Sequence, residues 1–306
     1  MKRVISLIPS ATEMVSALGC ESWLVGRSHE CDFPPSVQSL PVCTEPKFDP
    51  TGSSRDIDDR VKGLLQNALS VYEVKKDVLQ QLGPDLIVTQ AQCEVCAVSL
   101  SDVERTVAEW VESKPSIVSL SPNRLADVWD DLLLVAKALE VPEVGERLKA
   151  QLQSRVSAIH ERTSQVQEHP TVGCVEWLDP LMASANWMPE LVAYAGGRNV
   201  FGEAGAHAPW ITWEGLREQD PDVVVLLPCG FNIARTRSEL SVLTSKEGWS
   251  ELTAVRHNRV YVLDGNQYFN RSGPRLVESV EILAEIFHPT VCDFGHQGKG
   301  WEKIHS

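Results

Sequence analysis

The sequence predicts an α/β protein built from two related lobes, joined by a long helical segment, with a ligand cleft between the lobes. Short apolar runs alternate with helical periodicity in both halves, residues 124–166 contain no strand pattern, and landmarks of the first half recur in the second. We predict an N-terminal α/β lobe at residues 1–123, connecting helices at 124–168, a C-terminal α/β lobe at 169–288 and a tail at 289–306.

The first lobe opens with a strand pattern at residues 3–7. Ser10 and Glu13 match a capping box, and Gly19 suits the end of the following helix. A second strand near residues 23–26 runs into a polar loop, and residues 44–56 read as irregular. The remaining elements are strands at 70–74, 86–88 and 116–120, and helices at 56–69, 75–82 and 101–112.

The second half repeats landmarks of the first. Glu13 precedes a glycine by six residues, and so does Glu190. A histidine follows these glutamates 16 and 17 residues later, and a Pro-Asp pair opens an apolar run at 84–88 and again at 221–225. Cys93 lies 8 residues beyond Asp85, and Cys229 lies 7 beyond Asp222. These four matches in the same order indicate two related lobes, with the second lobe beginning at a strand near residues 171–175.

Composition narrows the function classes. The net charge of −14 argues against nucleic acid or an anionic membrane as the partner. No run reaches the roughly 20 apolar residues of a membrane span, so we expect no stable membrane insertion. The apolar run after Met1 is too short for an export signal, and eight cysteines are too few for a disulfide scaffold. We therefore expect a cytoplasmic protein with free thiols.

Loops that follow strands in both halves would face the cleft between the lobes, so their side chains are the candidate site. Aromatic side chains in such loops suit a broad, flat ligand, and a histidine can offer its imidazole to a metal. The candidate ligand-binding residues are His29, Glu30, Gln90 and Gln92 from the first lobe, and Glu176, Trp177, Trp187, His207, Trp210, Phe231, Tyr268, Phe269 and Arg271 from the second.

A Cys-x-x-Cys pair, Cys93 and Cys96, follows the predicted strand at 86–88. With Cys31, and either Cys43 or His29, it could supply four ligands to zinc or thiolates to an iron–sulfur cluster. Two other interpretations stay open: the thiols only pack, or they form a redox pair or ligate a corrinoid cobalt. The predicted metal ligands are Cys31, Cys93 and Cys96.

Several runs resemble the cobalamin and iron-siderophore class (class III) of periplasmic binding proteins. They are Arg-Val-Ile-Ser-Leu-Ile-Pro-Ser-Ala-Thr-Glu at 3–13, Gly-Arg-Ser-His-Glu-Cys at 26–31 and residues 86–92. The segments at 92–99 and 264–271 are similar to those of a leaderless subgroup labelled cobalamin-binding. The resemblance covers residues 3 to 288 and implies two α/β lobes, a rigid connecting helix and modest closure on a ligand. It also implies a relation to ABC transporters, although a leaderless chain would not deliver ligand to one from outside.

We therefore expect a cytoplasmic binding protein for a flat, metal-containing small molecule, with cobalamin or another corrinoid as the ligand. The alternatives are a sensor or redox protein that holds zinc or an iron–sulfur cluster, and a thiol-dependent enzyme on a receptor fold. The sequence contains no G-x-S-x-G elbow, no P-loop and no G-x-G-x-x-G after a strand, so no specific motif indicates an enzyme.

Overall fold

The computed structural model describes residues 1–66, 71–91, 100–108 and 114–304. The chain divides into two compact units. Unit 1 comprises residues 1–52, 56–122 and 126–151, and unit 2 comprises residues 53–55, 123–125 and the chain from 152 onward. The lobe boundaries at 123, 168 and 288 stay predictions.

Unit 1 is organised around a parallel sheet with the strand order β2-β1-β5-β6. A separate antiparallel ribbon pairs β3 with β4. The strands are β1 (Val4–Ser6), β2 (Leu24–Arg27), β3 (Thr44–Pro46), β4 (Tyr72–Val74), β5 (Leu86–Gln90) and β6 (Ser116–Leu120). The helices of the first 163 residues are α1 (Pro9–Ala17), α2 (Ser54–Gln66), α3 (Lys76–Leu82), α4 (Leu100–Ala108), α5 (Leu125–Ala138) and α6 (Pro142–Thr163), and α6 continues past residue 151 into unit 2.

Unit 2 contains a six-stranded mixed sheet. Its strands are β7 (Thr171–Trp177), β8 (Met182–Ala183), β9 (Arg198–Asn199), β10 (Val223–Leu226), β11 (Val260–Leu263) and β12 (Trp301–Lys303). Its helices are α7 (Met188–Tyr194), α8 (Trp213–Gln219), α9 (Ile233–Ser238), α10 (Ser241–Thr244), α11 (Thr253–Arg256) and α12 (Leu276–Phe287). Within the described ranges, no helix is both long enough and apolar enough to cross a membrane.

The two sheets share one topology, which confirms the predicted relation between the halves. Unit 2 pairs β9-β7-β10-β11 in parallel, and this order matches β2-β1-β5-β6 of unit 1. An aspartate before the third strand plays the same part in each unit. Asp85 Oδ2 accepts a hydrogen bond from the backbone N–H of Arg3, and Asp222 Oδ2 accepts one from Thr171, both at 2.8 Å.

The predicted capping box at the start of α1 is wrong. The helix begins at Pro9, and the N-cap position is occupied by Ile8, whose side chain makes no capping hydrogen bond. Proline is favoured at a first helical position because its φ is already helical and it has no N–H to satisfy. The predicted end of the helix is confirmed, since Gly19 follows the C-cap with φ +76°.

Two further segments differ from the sequence prediction. Residues 44–46, predicted to be irregular, form β3. Their backbone groups are satisfied by pairing with the distant strand β4, which the local sequence does not indicate. The tail beyond the last helix adds β12, which pairs antiparallel with β11 in the sheet of unit 2.

A buried carboxylate holds the tail on α12. Glu285 is 5 % exposed, and it accepts hydrogen bonds from the backbone N–H groups of Phe294 and His296 and from the Trp301 indole at 2.7 Å. One turn earlier, Glu281 lies 2.9 Å from His296 Nε2 and 2.7 Å from an Arg155 guanidinium nitrogen. The tail is therefore an ordered part of unit 2.

Candidate functional site

In unit 1, the carboxyl ends of three neighbouring parallel strands bring polar side chains to one edge of the sheet. β1 lies between β2 and β5, so the residues after these strands meet there. His29 and Glu30 follow β2, and both are partly buried. Gln90 ends β5 and is only 3 % exposed. The structure thus places these three predicted ligand-binding residues at one edge, which we call the histidine edge.

His29 is held by Thr44 of β3. The His29 backbone N–H donates to Thr44 Oγ1 at 3.1 Å, and His29 Nδ1 lies 2.8 Å from the same oxygen. The Thr44 hydroxyl donates to Ser28 Oγ at 3.2 Å. His29 Nδ1 and Thr44 Oγ1 therefore share a hydrogen bond whose donor depends on the tautomer of the imidazole.

Tyr72 of β4 forms the other support of this histidine. The rings of His29 and Tyr72 lie 5.1 Å apart, and the Tyr72 hydroxyl donates to Glu30 Oε1 at 3.1 Å. Sequence reasoning missed both Thr44 and Tyr72. The β3–β4 ribbon brings them together, and an aromatic residue in a predicted strand was the only signal for either of them.

The imidazole of His29 is neutral at physiological pH. Its pKa falls to about 4, first because burial penalises the charged form and then because Lys75 and Arg27 repel it, while Glu45 opposes the shift. His29 Nε2 makes no hydrogen bond to any residue in the described part of the chain.

The described cysteines of unit 1, which are Cys20, Cys31 and Cys43, are buried. Cys31 is fully buried, and its sulfur lies 3.0 Å from Thr12 Oγ1. Burial raises the pKa of Cys43 to about 11, so this side chain is a thiol. Gln92, Cys93 and Cys96 lie outside the described residues. Among the residues that are described, no group of three or more His, Cys, Asp and Glu side chains could hold a metal ion, and the set of Cys31, Cys93 and Cys96 stays a prediction.

In unit 2, three parallel strands again end at one edge of the sheet. The end of β7 and the loops after β10 and β11 are tied together: Cys229 N–H donates to Glu176 O at 3.1 Å, and Asn266 N–H donates to Phe231 O at 3.0 Å. Gly265 permits the contact between the two loops, because a Cβ there would lie 2.2 Å from Pro228 O. Trp177 ends β7, and the two loops carry Phe231 and Tyr268, so we call this edge the aromatic edge.

The side chains of the aromatic edge make a defined cluster. The rings of Trp177 and Phe231 lie 5.2 Å apart with a 54° tilt, and the Arg235 guanidinium stands 4.7 Å from the Phe231 ring centre. Arg235 also pairs with Glu239 at 2.5 Å. The Trp177 indole N–H is buried, and it finds no acceptor among the described residues. Buried indole donors normally have a partner, so this group has an unmet hydrogen-bonding capacity.

The other predicted residues of unit 2 fall into two groups. Trp187, Phe269 and Arg271 are at most 8 % exposed, and the Trp187 indole donates to Phe269 O at 2.9 Å, so these residues support the loop after β11 from within. Trp210 is 55 % exposed, and His207 is an exposed residue whose Nδ1 lies 3.0 Å from Ala208 O. Tyr268 is partly buried, with the Arg275 guanidinium 5.4 Å from its ring centre.

Two surface cavities of unit 2 lie away from the aromatic edge. One, of about 420 Å³, is lined by residues of α8 and by Gly248, Glu251 and Leu252. The other, of about 490 Å³, is lined by residues around the end of α6 and by Gly196, Gly197 and Arg198. Neither is lined by any of the predicted ligand-binding residues.

Comparisons with known proteins agree with this architecture. The chain is 23% identical over 296 residues to YvrC, an uncharacterized ABC transporter substrate-binding lipoprotein of Bacillus subtilis, covering 94% of this chain and 80% of that protein. It is 21% identical over 296 residues to the vitamin B12-binding protein of Vibrio parahaemolyticus, covering 94% and 90%.

Solved structures show the same fold. A periplasmic heme-binding protein from Pseudomonas aeruginosa superposes with a TM-score of 0.74 at 20% identity, over 100% of this chain and 98% of that chain. The periplasmic vitamin B12 binding protein of Vibrio cholerae superposes with a TM-score of 0.65 at 20% identity, over 94% and 96%. The model of the family described as periplasmic binding protein matches residues 4–267. The chain therefore belongs to the periplasmic binding protein family.

Proposed function

We propose that this protein binds a flat, metal-containing tetrapyrrole, and that a corrinoid is its ligand. The observation that carries the proposal is the aromatic edge of unit 2. Three consecutive parallel strands deliver Trp177, Phe231 and Tyr268 to one place, and backbone hydrogen bonds between their loops fix the arrangement. Aromatic rings cover a broad apolar surface and lose little rotamer entropy, so they suit a macrocycle.

The polar groups of this edge support a ligand that carries amides. The Trp177 indole N–H has no acceptor among the described residues, and an amide oxygen of a corrinoid side chain would satisfy it. The Glu176 carboxylate, on the same loop, can accept from an amide N–H. Relatives whose names state vitamin B12 binding add weight to the corrinoid, since 90% of one of them is covered.

Binding of an aquo-corrinoid to the purified protein tests the proposal. We expect saturable binding with one ligand per chain, followed by calorimetry and by quenching of tryptophan fluorescence. Trp177→Ala should weaken binding at least about ten-fold, because it removes a large aromatic contact. Trp177→Phe should weaken binding less, because it removes only the indole and its N–H.

Trp249→Phe is the matched control. Trp249 stacks on Trp213 at 6.3 Å, beside α11 rather than at the aromatic edge, so its replacement should leave the affinity unchanged. A wild-type protein that shows no saturable binding of any corrinoid at micromolar concentration would refute the corrinoid proposal. Equal losses of corrinoid affinity in the Trp177 and Trp249 variants would show that the aromatic edge is not the binding surface.

Heme is the second candidate ligand. The observation in its favour is the likeness to periplasmic heme-binding proteins, one of which covers the whole of this chain. Competition separates the two ligands: a protein built for corrinoids retains bound aquo-corrinoid in the presence of an equal concentration of ferric heme. Displacement by heme would reverse the order of the candidates.

We also propose that the protein acts in the cytoplasm. The support is the state of its thiols: six cysteines in the described part of the chain are free, and five of them are buried. Oxidising compartments favour disulfides, whereas cytoplasmic thiols stay reduced. Fractionation of cells that express the full-length protein tests this location, and recovery in an extracytoplasmic fraction would contradict it.

A further inference from the structure

The tail after α12 contacts the loop that brings Tyr268 to the aromatic edge. β12 of the tail pairs with β11, and the loop begins where β11 ends. At that point the backbone N–H of Asp264 donates to Gly300 O of the tail at 2.9 Å. The Asp264 side chain in turn accepts the N–H groups of Asn266 at 3.1 Å and Gln267 at 2.8 Å. The tail therefore fixes the first residues of this loop.

His296 of the tail contacts the ring of Tyr268 itself. The two ring centres lie 6.3 Å apart and the planes meet at 71°, which is the edge-to-face arrangement that aromatic rings favour. Since an ionised carboxylate only accepts, His296 Nε2–H donates to Glu281 Oε2, at 2.9 Å. The Arg275 guanidinium lies 5.4 Å from the centre of the Tyr268 ring. This ring is thus contacted from the tail and from the start of α12.

The position of His296 is fixed at its backbone as well as at its ring. Glu285 accepts the His296 backbone N–H at 3.1 Å and the Trp301 indole N–H at 2.7 Å. Glu281, which receives the imidazole, also pairs with Arg155 at 2.7 Å. Hydrogen bonds to ionised groups are stronger than those between neutral groups, so this imidazole is firmly held. All of these residues belong to unit 2, which therefore contains the whole arrangement.

We propose that His296 is a positioning residue for ligand binding: α12 fixes its imidazole, and the imidazole holds the Tyr268 ring in the orientation that contacts the ligand. This inference rests on the proposed function, in which Tyr268 belongs to the ligand-binding surface. A side chain that is held before the ligand arrives loses less rotamer freedom on binding, so the affinity is higher. The tail is thereby part of the binding apparatus, and His296 acts through Tyr268.

A second contact between the tail and a tyrosine provides a matched control. The Lys303 ammonium of β12 lies 5.9 Å from the centre of the Tyr261 ring. Tyr261 belongs to β11 and is only 7 % exposed, so it is a core residue and not part of the aromatic edge. Lys303→Gln therefore changes a charged side chain of the same tail without affecting Tyr268. His257→Gln, at an exposed histidine after α11, is the control for loss of an imidazole.

A double-mutant cycle on binding of cyanocobalamin tests the proposal. Calorimetry gives the affinity of wild type, His296→Gln, Tyr268→Ala and the double variant. His296→Gln should weaken binding about three- to ten-fold, the order expected when one more side chain must be ordered on binding. In the Tyr268→Ala background the same change should have no further effect, because no ring is left to position. Lys303→Gln and His257→Gln should bind as wild type does.

Fluorine NMR of the ligand-free protein, labelled with meta-fluorotyrosine, measures the position of Tyr268 directly. The chain has four tyrosines, and the Tyr268 resonance is the one that Tyr268→Phe removes. His296→Gln should shift and broaden this resonance. The Tyr261 resonance should stay unchanged, because Tyr261 packs on Trp301 of the same tail, with ring centres 5.5 Å apart, and reports that the tail is still in place. Thermal unfolding confirms that each variant is folded.

The outcomes distinguish this inference from the proposed function. If His296→Gln keeps the wild-type affinity, or if its loss adds fully to that of Tyr268→Ala, the positioning role is refuted and corrinoid binding stands. If the Tyr261 resonance changes together with that of Tyr268, the effect belongs to detachment of the whole tail, and the assignment to His296 is wrong. If the folded wild-type protein binds no corrinoid, the proposed function itself fails, and the role of His296 in binding fails with it.

Discussion

At the scale of the single residue, His29 shows how a fold sets the chemistry of a side chain. A buried threonine holds its ring through Nδ1, and burial with two positive neighbours keeps the ring neutral. Thr44 and Lys75 are distant from it in the sequence, whereas Arg27 is two residues away. The fold therefore holds this imidazole in place, and such preorganisation reduces the entropy lost when a side chain takes part in binding.

His29 should make the folded protein less stable in acid. Its pKa falls from 6.5 to about 4, so between these values the unfolded chain binds a proton that the folded chain does not. The stability that it contributes is fully present above pH 6.5 and is lost as the pH falls toward 4. Urea unfolding at pH 7.5 and 4.5 should show a smaller loss for His29→Gln than for wild type, with His257→Gln as control. Equal losses in all three proteins would contradict the prediction.

Gly265 should tolerate no side chain. Its Cα lies so close to the preceding loop that a Cβ would stand 2.2 Å from Pro228 O and 2.6 Å from Leu227 O. Gly265→Ala must therefore separate the loops after β10 and β11. We expect the free energy of unfolding to fall by about 1–3 kcal/mol, together with weaker corrinoid binding. Gly230→Ala is the control for steric clash, because no atom lies within 4 Å of the added Cβ. This variant has only the backbone strain of φ +75°.

At the scale of the element, the tail is held by one helix and one strand. Glu285 of α12 receives three N–H groups from the tail, and β12 adds the backbone pairing with β11. His296 donates to Glu281, and this hydrogen bond raises the pKa of His296, against the opposing effect of burial. The tail is therefore bound by charge as well as by strand pairing.

The charge of His296 should stabilise the protein on the acid side. Because its pKa is raised above 6.5, its contribution is fully present below pH 6.5 and is lost as the pH rises through the raised value. His296→Gln should therefore lower the free energy of unfolding at pH 6 more than at pH 9. The carboxylates of Glu281, Glu285 and Glu278 all act on this histidine, and each raises its pKa. A difference that does not change with pH would exclude this role of the imidazolium.

Prediction from sequence succeeded where the residues of an element have a distinctive local pattern. The apolar runs of β1, β5, β7 and β10 are short, bounded by turn residues and fully or largely buried, as strands of a covered parallel sheet are. β12 could not be predicted in this way. It has three residues, two of them charged, and it is a strand only because β11 supplies its hydrogen bonds.

The same limit applies to the candidate site. The positions of His29, Trp177 and Phe231 could be predicted, since Trp177 ends a strand and the other two lie in loops that follow strands. The roles of Thr44 and Tyr72 could not, because their contacts with His29 depend on the register of a ribbon between distant segments. Phe269 is an aromatic residue of the kind that contacts flat ligands, but its side chain is fully buried.

At the scale of the whole molecule, the two halves of the chain share one arrangement of parallel strands. The strand orders β2-β1-β5-β6 and β9-β7-β10-β11 match, and each half ties the start of its central strand to an aspartate. Sequence similarity between the halves is confined to a few positions. The shared topology is therefore the stronger sign of their relation.

Asp85 and Asp222, the equivalent aspartates of the two units, should contribute differently to the free energy of unfolding. Asp222 also receives the Thr171 hydroxyl at 2.7 Å, and these hydrogen bonds lower its pKa although burial opposes them. Its contribution is present above its ordinary pKa and is lost as the pH falls below that value. Asp222→Asn should lower the free energy of unfolding at pH 7 by about 1–2 kcal/mol, and Asp85→Asn should have a smaller effect. If chemical denaturation showed equal losses for the two variants, the hydrogen bond from the Thr171 hydroxyl to Asp222 would contribute nothing to stability.

The position of β12 at the margin of its sheet has a consequence for how the protein can fail. β11 is buried along its whole length, and β12 occupies the hydrogen-bonding groups that it would otherwise present to solvent. A shortened chain that ends before Trp301 would expose a row of valine, tyrosine and leucine backbone groups, which readily pair with the same row in another molecule. Proteolysis or premature termination near the carboxyl terminus would then produce self-association instead of a merely less stable monomer.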